Sequence, residues 1–298
     1  MRTKSIRAPR EDQIFYWATG IILVLLSLTI VYPLIYIISA SFSSAHAIIT
    51  GKVVFFPVEV SLDGYKSVFT YKGIMRSYWN SFVYTIVGTS INVVVTMLAA
   101  YPLSRPNLPY RNGIMFLFSF TMLFSGGMIP SYLLLKDLHM LNTIWAMVIP
   151  GALSVYNMII TRTFIQSNIP EELREAAEID GCSDTRYFFA IVLPLSKAVL
   201  AVITLYYVVG HWNSYFNAFL YLCNRDLYPL QILLREILVM NDVAYEQITD
   251  PELLLARQNL AEQLKYALII VSSLPVLIMY PFVQKFFVKG VMIGSLKG

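Results

Sequence analysis

The sequence has little charge and few side chains suited to catalysis. Only 13% of its 298 residues are charged, whereas roughly a quarter are charged in an average soluble domain, and 57% are hydrophobic. The mean hydropathy is +0.63. The three histidines, His46, His139 and His211, have no partners at metal-ligand spacing. This composition predicts an all-α membrane protein and indicates neither an enzyme nor a metal site.

A phosphate-binding loop and a disulfide framework are absent as well. The one Gly-Lys pair, Gly51-Lys52, is followed by Val53, so the G-x-x-x-x-G-K-[ST] pattern does not occur. Cys182 and Cys223 are predicted on opposite faces of the membrane, which excludes an intramolecular disulfide and favours packing roles. We therefore expect no cofactor on this chain.

What the sequence does contain is long runs without Asp, Glu, Lys or Arg. Each run is near the length of about 20 residues that crosses a bilayer core. The six charge-free blocks are residues 14–51, 77–104, 112–135, 138–161, 198–224 and 266–284. They predict six transmembrane helices, and the first is too long for a signal peptide, so we expect the mature protein to keep it.

The uncharged spans also limit the mechanism. Proton relays and ion-coupling sites use ionisable side chains inside the membrane, and the blocks hold no Asp, Glu, Lys or Arg. Any transport must therefore be driven by another component, and a neutral solute is favoured.

The distribution of basic residues predicts the orientation. With both termini cytoplasmic, most of the 22 Lys and Arg residues lie on the inner side. The sequence therefore predicts a single transmembrane domain that covers residues 1–298. Its cytoplasmic loop 166–197 lies between the fourth and fifth spans, its outer loops are 41–76 and 225–265, and its cytoplasmic tail is 286–298.

The cytoplasmic loop contains the most informative pattern in the chain, E-A-A-x3-G-x9-I-x-L-P. Its fixed positions are Glu175, Ala176, Ala177, Gly181, Ile191, Leu193 and Pro194. Asn168 and Glu171 form a predicted capping box, and Pro170 suits the first helical turn. The sequence predicts a short helix to about Asp180, ended by Gly181 in the left-handed conformation. Charge patterning alone is equally compatible with a loop on the membrane surface, whereas the full pattern favours a helix that docks on a partner.

This pattern resembles the EAA loop of permease subunits in ATP-binding-cassette importers. The six predicted spans and the segment 289–298 are similar to the second permease of the maltose-type carbohydrate branch. The run 228–236 looks like the subgroup for oligosaccharides and polysaccharide fragments. The resemblance implies a multi-pass protein of the bacterial cytoplasmic membrane that moves a sugar by alternating access.

The resemblance also implies partners and roles. The expected partners are a second permease, two ATPase subunits that bind ATP and Mg, and an extracytoplasmic binding protein, with no nucleic acid. The resemblance makes this short helix the coupling helix and pairs Glu175 with a basic ATPase residue. The family's C-terminal tail reaches between the ATPases, which assigns Gly294, Lys297 and Gly298 to that contact.

A polar and aromatic cluster in the outer half of the fifth block is a candidate sugar path. Its members are His211, Trp212, Asn213, Tyr215 and Asn217. Aromatic faces and amides suit a sugar ring, although such residues also form membrane-interface belts and bonds between helices.

Two other functions stay open at this stage. The chain can belong to an importer of another solute, because the loop pattern does not specify substrate. It can also be a membrane scaffold or sensor that keeps the ATPase-docking loop but transports nothing.

Overall fold

The structure, a computed structural model, describes residues 9–71, 73–244 and 251–295. These residues form helices and no strand, which confirms the all-α prediction for the described chain. The helices are α1 (Arg10–Ser41), α2 (Ala45–Ile49), α3 (Asp63–Thr70), α4 (Ile74–Ser104), α5 (Arg111–Leu123), α6 (Met128–Asp137), α7 (Ile144–Val148), α8 (Val155–Asn168), α9 (Glu171–Ile179), α10 (Asp184–Tyr187), α11 (Leu193–Leu195), α12 (Lys197–Trp212), α13 (Phe216–Tyr221), α14 (Leu230–Ala244) and α15 (Pro251–Ser295). A π-helical turn covers Phe188–Val192, and a 3-10 turn covers Arg225–Leu227.

The chain separates into two compact units. One contains the residues up to Tyr71 together with Glu236–Val271, and the other contains Lys72–Arg235 together with Ser272–Gly298. The expectation of one transmembrane domain over residues 1–298 stays a prediction.

The first unit contains α1, which is apolar on every side. Its span Glu11–Ser41 has a mean hydropathy of 2.7 over its most apolar window, and none of that window is buried within the protein. A helix that is apolar all round is typical of a membrane span. The C-terminal end of α1 joins a small core of Ala40, Ala47, Ile48 and Val53. The predicted outer loop 41–76 therefore begins with packed helical structure.

The second unit is organised around α4, which packs against α8 and α12. One face of α4 carries small and polar side chains at helical spacing, and most of them are buried: Ser77, Ser81, Thr85, Gly88, Asn92 and Thr96. Small residues let membrane helices approach closely, and polar ones bond across the interface. A Cβ added at Gly88 would lie 2.4 Å from the His211 ring, so a larger residue here would require this ring to move.

Two of the predicted spans are not straight helices. The block 112–135 divides into α5 and α6, which meet at an angle of 110°. Gly127 stands at the break with φ +87°, a conformation that residues with a side chain rarely adopt. The block 138–161 is interrupted between α7 and α8 at Pro150-Gly151, and Ser154 caps the new helix by accepting from the Asn157 N–H.

The fifth block departs from a single span as well. The helical segment Asp184–Leu195 bends by 79° into α12, and a second break over residues 213–215 separates α12 from α13. Three helices in the described chain are long and apolar enough to cross a membrane, and up to five spans result if each bent pair counts as one. The six-span count and the cytoplasmic termini stay predictions.

Candidate functional site

The predicted loop helix is present as α9, but its start is built differently from the capping box. Pro170 occupies the N-cap position and supplies no side-chain bond, while Glu171 and Glu172 fill the first turn. Asn168 donates from Nδ2 to the Phe164 carbonyl at 3.0 Å instead of capping α9. The capping-box prediction is therefore wrong, because Asn168 is still the last residue of α8 and bonds back into that helix.

The end of α9 agrees with the prediction from Gly181. This glycine has φ +73°, in the left-handed region. Its N–H donates to the Glu178 carbonyl at 3.0 Å, and the Cys182 N–H donates to the Ala177 carbonyl at 2.8 Å. These two bonds form a Schellman motif, which satisfies carbonyls that the helix would leave unpaired.

A second set of contacts fixes the start of α9 against the end of α4. Arg105 follows α4, and its Nη1 lies 3.3 Å from the Glu171 carboxylate. Its Nη2 donates to the Tyr101 hydroxyl at 2.8 Å, and its guanidinium lies over the Tyr101 and Tyr187 rings, 4.6 and 5.0 Å from their centroids. The Arg105 side chain is only 16% exposed. This arginine therefore joins three segments at one point.

Glu171 extends this contact along α9. Its other carboxylate oxygen accepts from Arg174, which also pairs with Glu178 one turn further. The hydrogen bond that Arg174 donates to Glu171 raises the pKa of Arg174, and the negative charges of nearby carboxylates also raise it, against a smaller lowering effect of burial. The chain Arg105–Glu171–Arg174–Glu178 is therefore an alternating charge network that runs the length of the helix.

The end of α4 is held by neighbouring side chains as well. Arg162 and Gln166 of α8 donate to the carbonyls of Leu103 and Ser104 at 2.8 and 3.1 Å. The last carbonyls of a helix have no partner within it, so these bonds replace water at the end of α4. A movement of α9 is thereby linked to two long helices.

The motif residues divide between a packed side and an exposed side. The packed side belongs to a core cluster under the loop, formed by Met97, Ile165, Ile169, Tyr187, Phe188 and Val192. Ala177, Ile191 and Leu193 pack against this cluster. Of the two motif alanines, Ala176 is exposed, whereas Ala177 is half-buried against the cluster. The two alanines are adjacent in a helix, so they point in directions about 100° apart.

The exposed side of α9 presents an acid beside apolar groups. Glu175 is exposed and has no ion pair or hydrogen bond with a described residue. Ile179, one turn later, is 87% exposed, and Leu173 is 41% exposed. Exposed apolar side chains next to an unpaired carboxylate suit a protein contact rather than a solvated surface.

Beyond α9 the backbone changes to a π-helical turn at Phe188–Val192. The Leu193 N–H donates to the Phe188 carbonyl, five residues back, and Pro194, which has no N–H, follows. The bend at Ser196 then leads into α12. The last motif residues thus connect the loop to a long helix of the second unit.

The candidate sugar-path residues fall into two groups. Trp212 is 3% exposed, donates from Nε1 to the Ser272 carbonyl at 2.9 Å, and meets the Tyr78 ring edge-on at 5.6 Å. His211 Nε2 lies 3.2 Å from Asn92 Oδ1. These two side chains bond neighbouring helices. Asn213, Tyr215 and Asn217, in contrast, are exposed.

The segment assigned to a C-terminal ATPase contact is only partly described. Gly294 lies next to the last residue of α15. Lys297 and Gly298 lie outside the described residues, so that contact stays a prediction.

Comparison with known proteins defines the class. Residues 81–293 match the family of binding-protein-dependent transport system inner membrane components. This range contains α9 and the whole E-A-A-x3-G-x9-I-x-L-P pattern. The chain belongs to this family, and it is a transport permease of the inner membrane.

Two relatives and one solved structure are similar to this chain over most of its length. The chain is 41% identical to the polygalacturonan/rhamnogalacturonan transport system permease protein YtcP of Bacillus subtilis (strain 168), over 93% of this chain and 96% of that protein. It is also 41% identical to protein LplC of the same strain, over 90% of each chain. Its structure resembles a bacterial ABC transporter involved in the import of the acidic polysaccharide alginate, with a TM-score of 0.85, 34% identity, and coverage of 95% of this chain and 100% of the other.

Proposed function

We propose that this chain is a membrane-spanning subunit of an ATP-driven importer that carries an oligosaccharide across the bacterial cytoplasmic membrane. The family membership supports import that depends on a binding protein. The names of the 41%-identical YtcP and of the alginate importer support a sugar as the solute. The proposed assembly contains a second permease, two ATPase subunits and an extracytoplasmic binding protein.

The proposed mechanism depends on the difference between the two sides of α9, one exposed and the other packed against the rest of the chain. Its exposed side, with Glu175 and Ile179, is free to contact an ATPase subunit. Its inner side is fixed by Arg105 and by the packing of Ala177 on the core cluster. A push on the exposed side is therefore transmitted as a displacement of the whole helix.

Two routes lead from α9 to the longer helices of the second unit, to which α9 also belongs. One runs through Glu171 and Arg105 to the end of α4. The other runs through Ala177 and the core cluster to the π-helical turn and α12. Because α4 and α12 pack along their length, a shift of α9 moves both helices together and changes the cavity that they line with the partner permease. ATP and Mg, held by the ATPase subunits, supply the energy.

The test is uptake of labelled oligosaccharides by proteoliposomes that contain the complete importer. Wild type should take up sugar only with ATP inside and binding protein outside. Glu175→Lys should abolish uptake, since it places a positive charge against the basic group expected on the ATPase, and like charges at an interface are strongly unfavourable. The complex should still insert, because residue 175 lies outside the spans.

Asp137→Lys is the matched control. It makes the same change of charge at an exposed residue at the end of α6, with no partner among the described residues, and should leave uptake intact. A wild-type complex that hydrolyses ATP but imports no sugar would contradict the proposed function and favour a scaffold or sensor. Normal uptake by Glu175→Lys would show that α9 does not receive the force.

A further inference from the structure

An arginine lies over two aromatic rings beside the candidate sugar path. The guanidinium carbon of Arg235, in the first part of α14, is 5.1 Å from the Phe219 ring centroid and 5.8 Å from that of Tyr215. Tyr215 lies in the break after α12, and Phe219 lies on α13. The break after α12, the helix α13 and the start of α14 thus bring one cation and two rings together.

The Arg235 guanidinium has no anionic partner among the described residues. Salt bridges fix several other arginines, including Arg76 with Asp226 at 2.9 Å. Within the part of the chain that the structure describes, Arg235 makes its two ring contacts and no ion pair, and its side chain is exposed. Tyr215 is 40% exposed and Phe219 is 59% exposed. A ligand can therefore reach the guanidinium and both rings from outside this chain.

The chemistry of this group selects a particular ligand. A guanidinium presents planar N–H donors in a fork that matches a carboxylate. Aromatic rings offer flat apolar faces on which a sugar ring can stack. The same rings hold the Arg235 guanidinium in place, so this side chain loses little freedom when an anion binds. A neutral sugar would use the rings but would leave the charge without a partner.

We propose that Tyr215, Phe219 and Arg235 form a subsite for the carboxylate-bearing units of an acidic oligosaccharide. This inference rests on the proposed import of a sugar. It reverses the expectation of a neutral solute, which considered only the charge-free blocks. Arg235 lies outside those blocks, and α14 brings it to two rings within the fifth block, Tyr215 and Phe219. The structural similarity to an importer of an acidic polysaccharide agrees with the assignment.

The experiment compares two sugars of one size, trigalacturonate and its fully methyl-esterified, neutral form. Uptake is measured in proteoliposomes with the complete importer, below saturation. Arg235→Gln should lower uptake of trigalacturonate by about tenfold or more, which is the loss expected for a charge-assisted hydrogen bond. Uptake of the ester should stay near the wild-type rate. Arg235→Lys keeps the positive charge but not the forked N–H donors. Its uptake of trigalacturonate should therefore lie between that of wild type and that of Arg235→Gln.

Lys136→Gln is the matched control, because it removes an exposed positive charge near the C-terminal end of α6. It should leave uptake of trigalacturonate unchanged. Size-exclusion profiles and basal ATP hydrolysis should match wild type for every variant. These two readouts show that the complex is assembled.

The outcomes separate this inference from the proposed function. Import of the ester or of other neutral oligosaccharides, without import of trigalacturonate, would overturn the acidic subsite and leave sugar import standing. Unchanged uptake of trigalacturonate by Arg235→Gln would overturn the subsite as well, and so would an equal loss for both sugars. A wild-type complex that imports no sugar at all would overturn the proposed function, and the subsite with it.

Discussion

Replacing Arg105 by methionine should detach α9 from the rest of the chain. Methionine keeps an unbranched apolar stem between the Tyr101 and Tyr187 rings but removes the guanidinium. Glu171 then retains only Arg174 as a partner. The change lies at the C-terminal end of α4 and removes no side chain from the core cluster under the loop. The fold should therefore remain while the helix loosens.

The size of the effect follows from the contacts that are lost. Two cation–π contacts contribute about 0.5–1 kcal/mol each, and the hydrogen bond to Tyr101 contributes about 1 kcal/mol. The ion pair with Glu171, whose side chain is 36% exposed, adds less than about 1 kcal/mol after solvent screening. The total of about 2–4 kcal/mol corresponds to a shift of roughly 30- to 700-fold towards the detached helix.

Amide hydrogen exchange measures this shift directly. A helix as short as the nine residues of α9 is marginal when isolated in water. Detachment should therefore raise the exchange rate of its amides by a similar factor, while α4 and α8 stay protected. In proteoliposomes, sugar uptake per ATP hydrolysed should fall. Arg186→Met is the control, since Arg186 lies exposed on the same loop without a side-chain partner among the described residues.

Unchanged protection of α9 in Arg105→Met would show that Arg105 does not hold this helix in place. It would mean that Ala177 and the Schellman motif hold the helix without help from the arginine. Equal loss of protection in α4, α8 and α9 would contradict the prediction in another way, because Arg105 would then stabilise the whole fold rather than this contact.

The remaining predictions concern the candidate sugar path. Trp212→Ala should destabilise the chain by about 3–5 kcal/mol, since it removes a buried aromatic side chain and its hydrogen bond to the Ser272 carbonyl. The detergent-solubilised complex should therefore dissociate during size-exclusion chromatography. Asn213→Ala should leave assembly intact, because Asn213 is exposed at the end of α12, and should change only the uptake of sugar. Stable complexes with Trp212→Ala would contradict the packing role.

The sequence predicts most reliably what depends on neighbouring residues. The existence and extent of α9, and the left-handed Gly181 that ends it, follow from local helix propensity and from the freedom of glycine at positive φ. The apolar blocks likewise indicate α1 and α4, because composition alone identifies a membrane helix. These features need no knowledge of the rest of the fold.

Other features depend on contacts between distant residues. Arg105 contributed only to the predicted orientation, and nothing local to it indicates that Glu171 and Tyr187 meet there. Trp212 was proposed to contact sugar, although its burial depends on Ser272, 60 residues later. A charge-free block gives the length of an apolar run but not its direction, so the bends at Gly127 and Ser196 were not predicted.

The proposed coupling requires that the ATPase contacts this chain at α9. Photocrosslinking tests it directly, with p-benzoylphenylalanine in place of Ile179 in the assembled importer. We expect an adduct with the ATPase subunit, because Ile179 is 87% exposed at the end of the helix. The same substitution at Phe56, which is 80% exposed in a predicted outer loop, should give none. An active importer that forms the ATPase adduct from position 56, or none from position 179, would contradict the account.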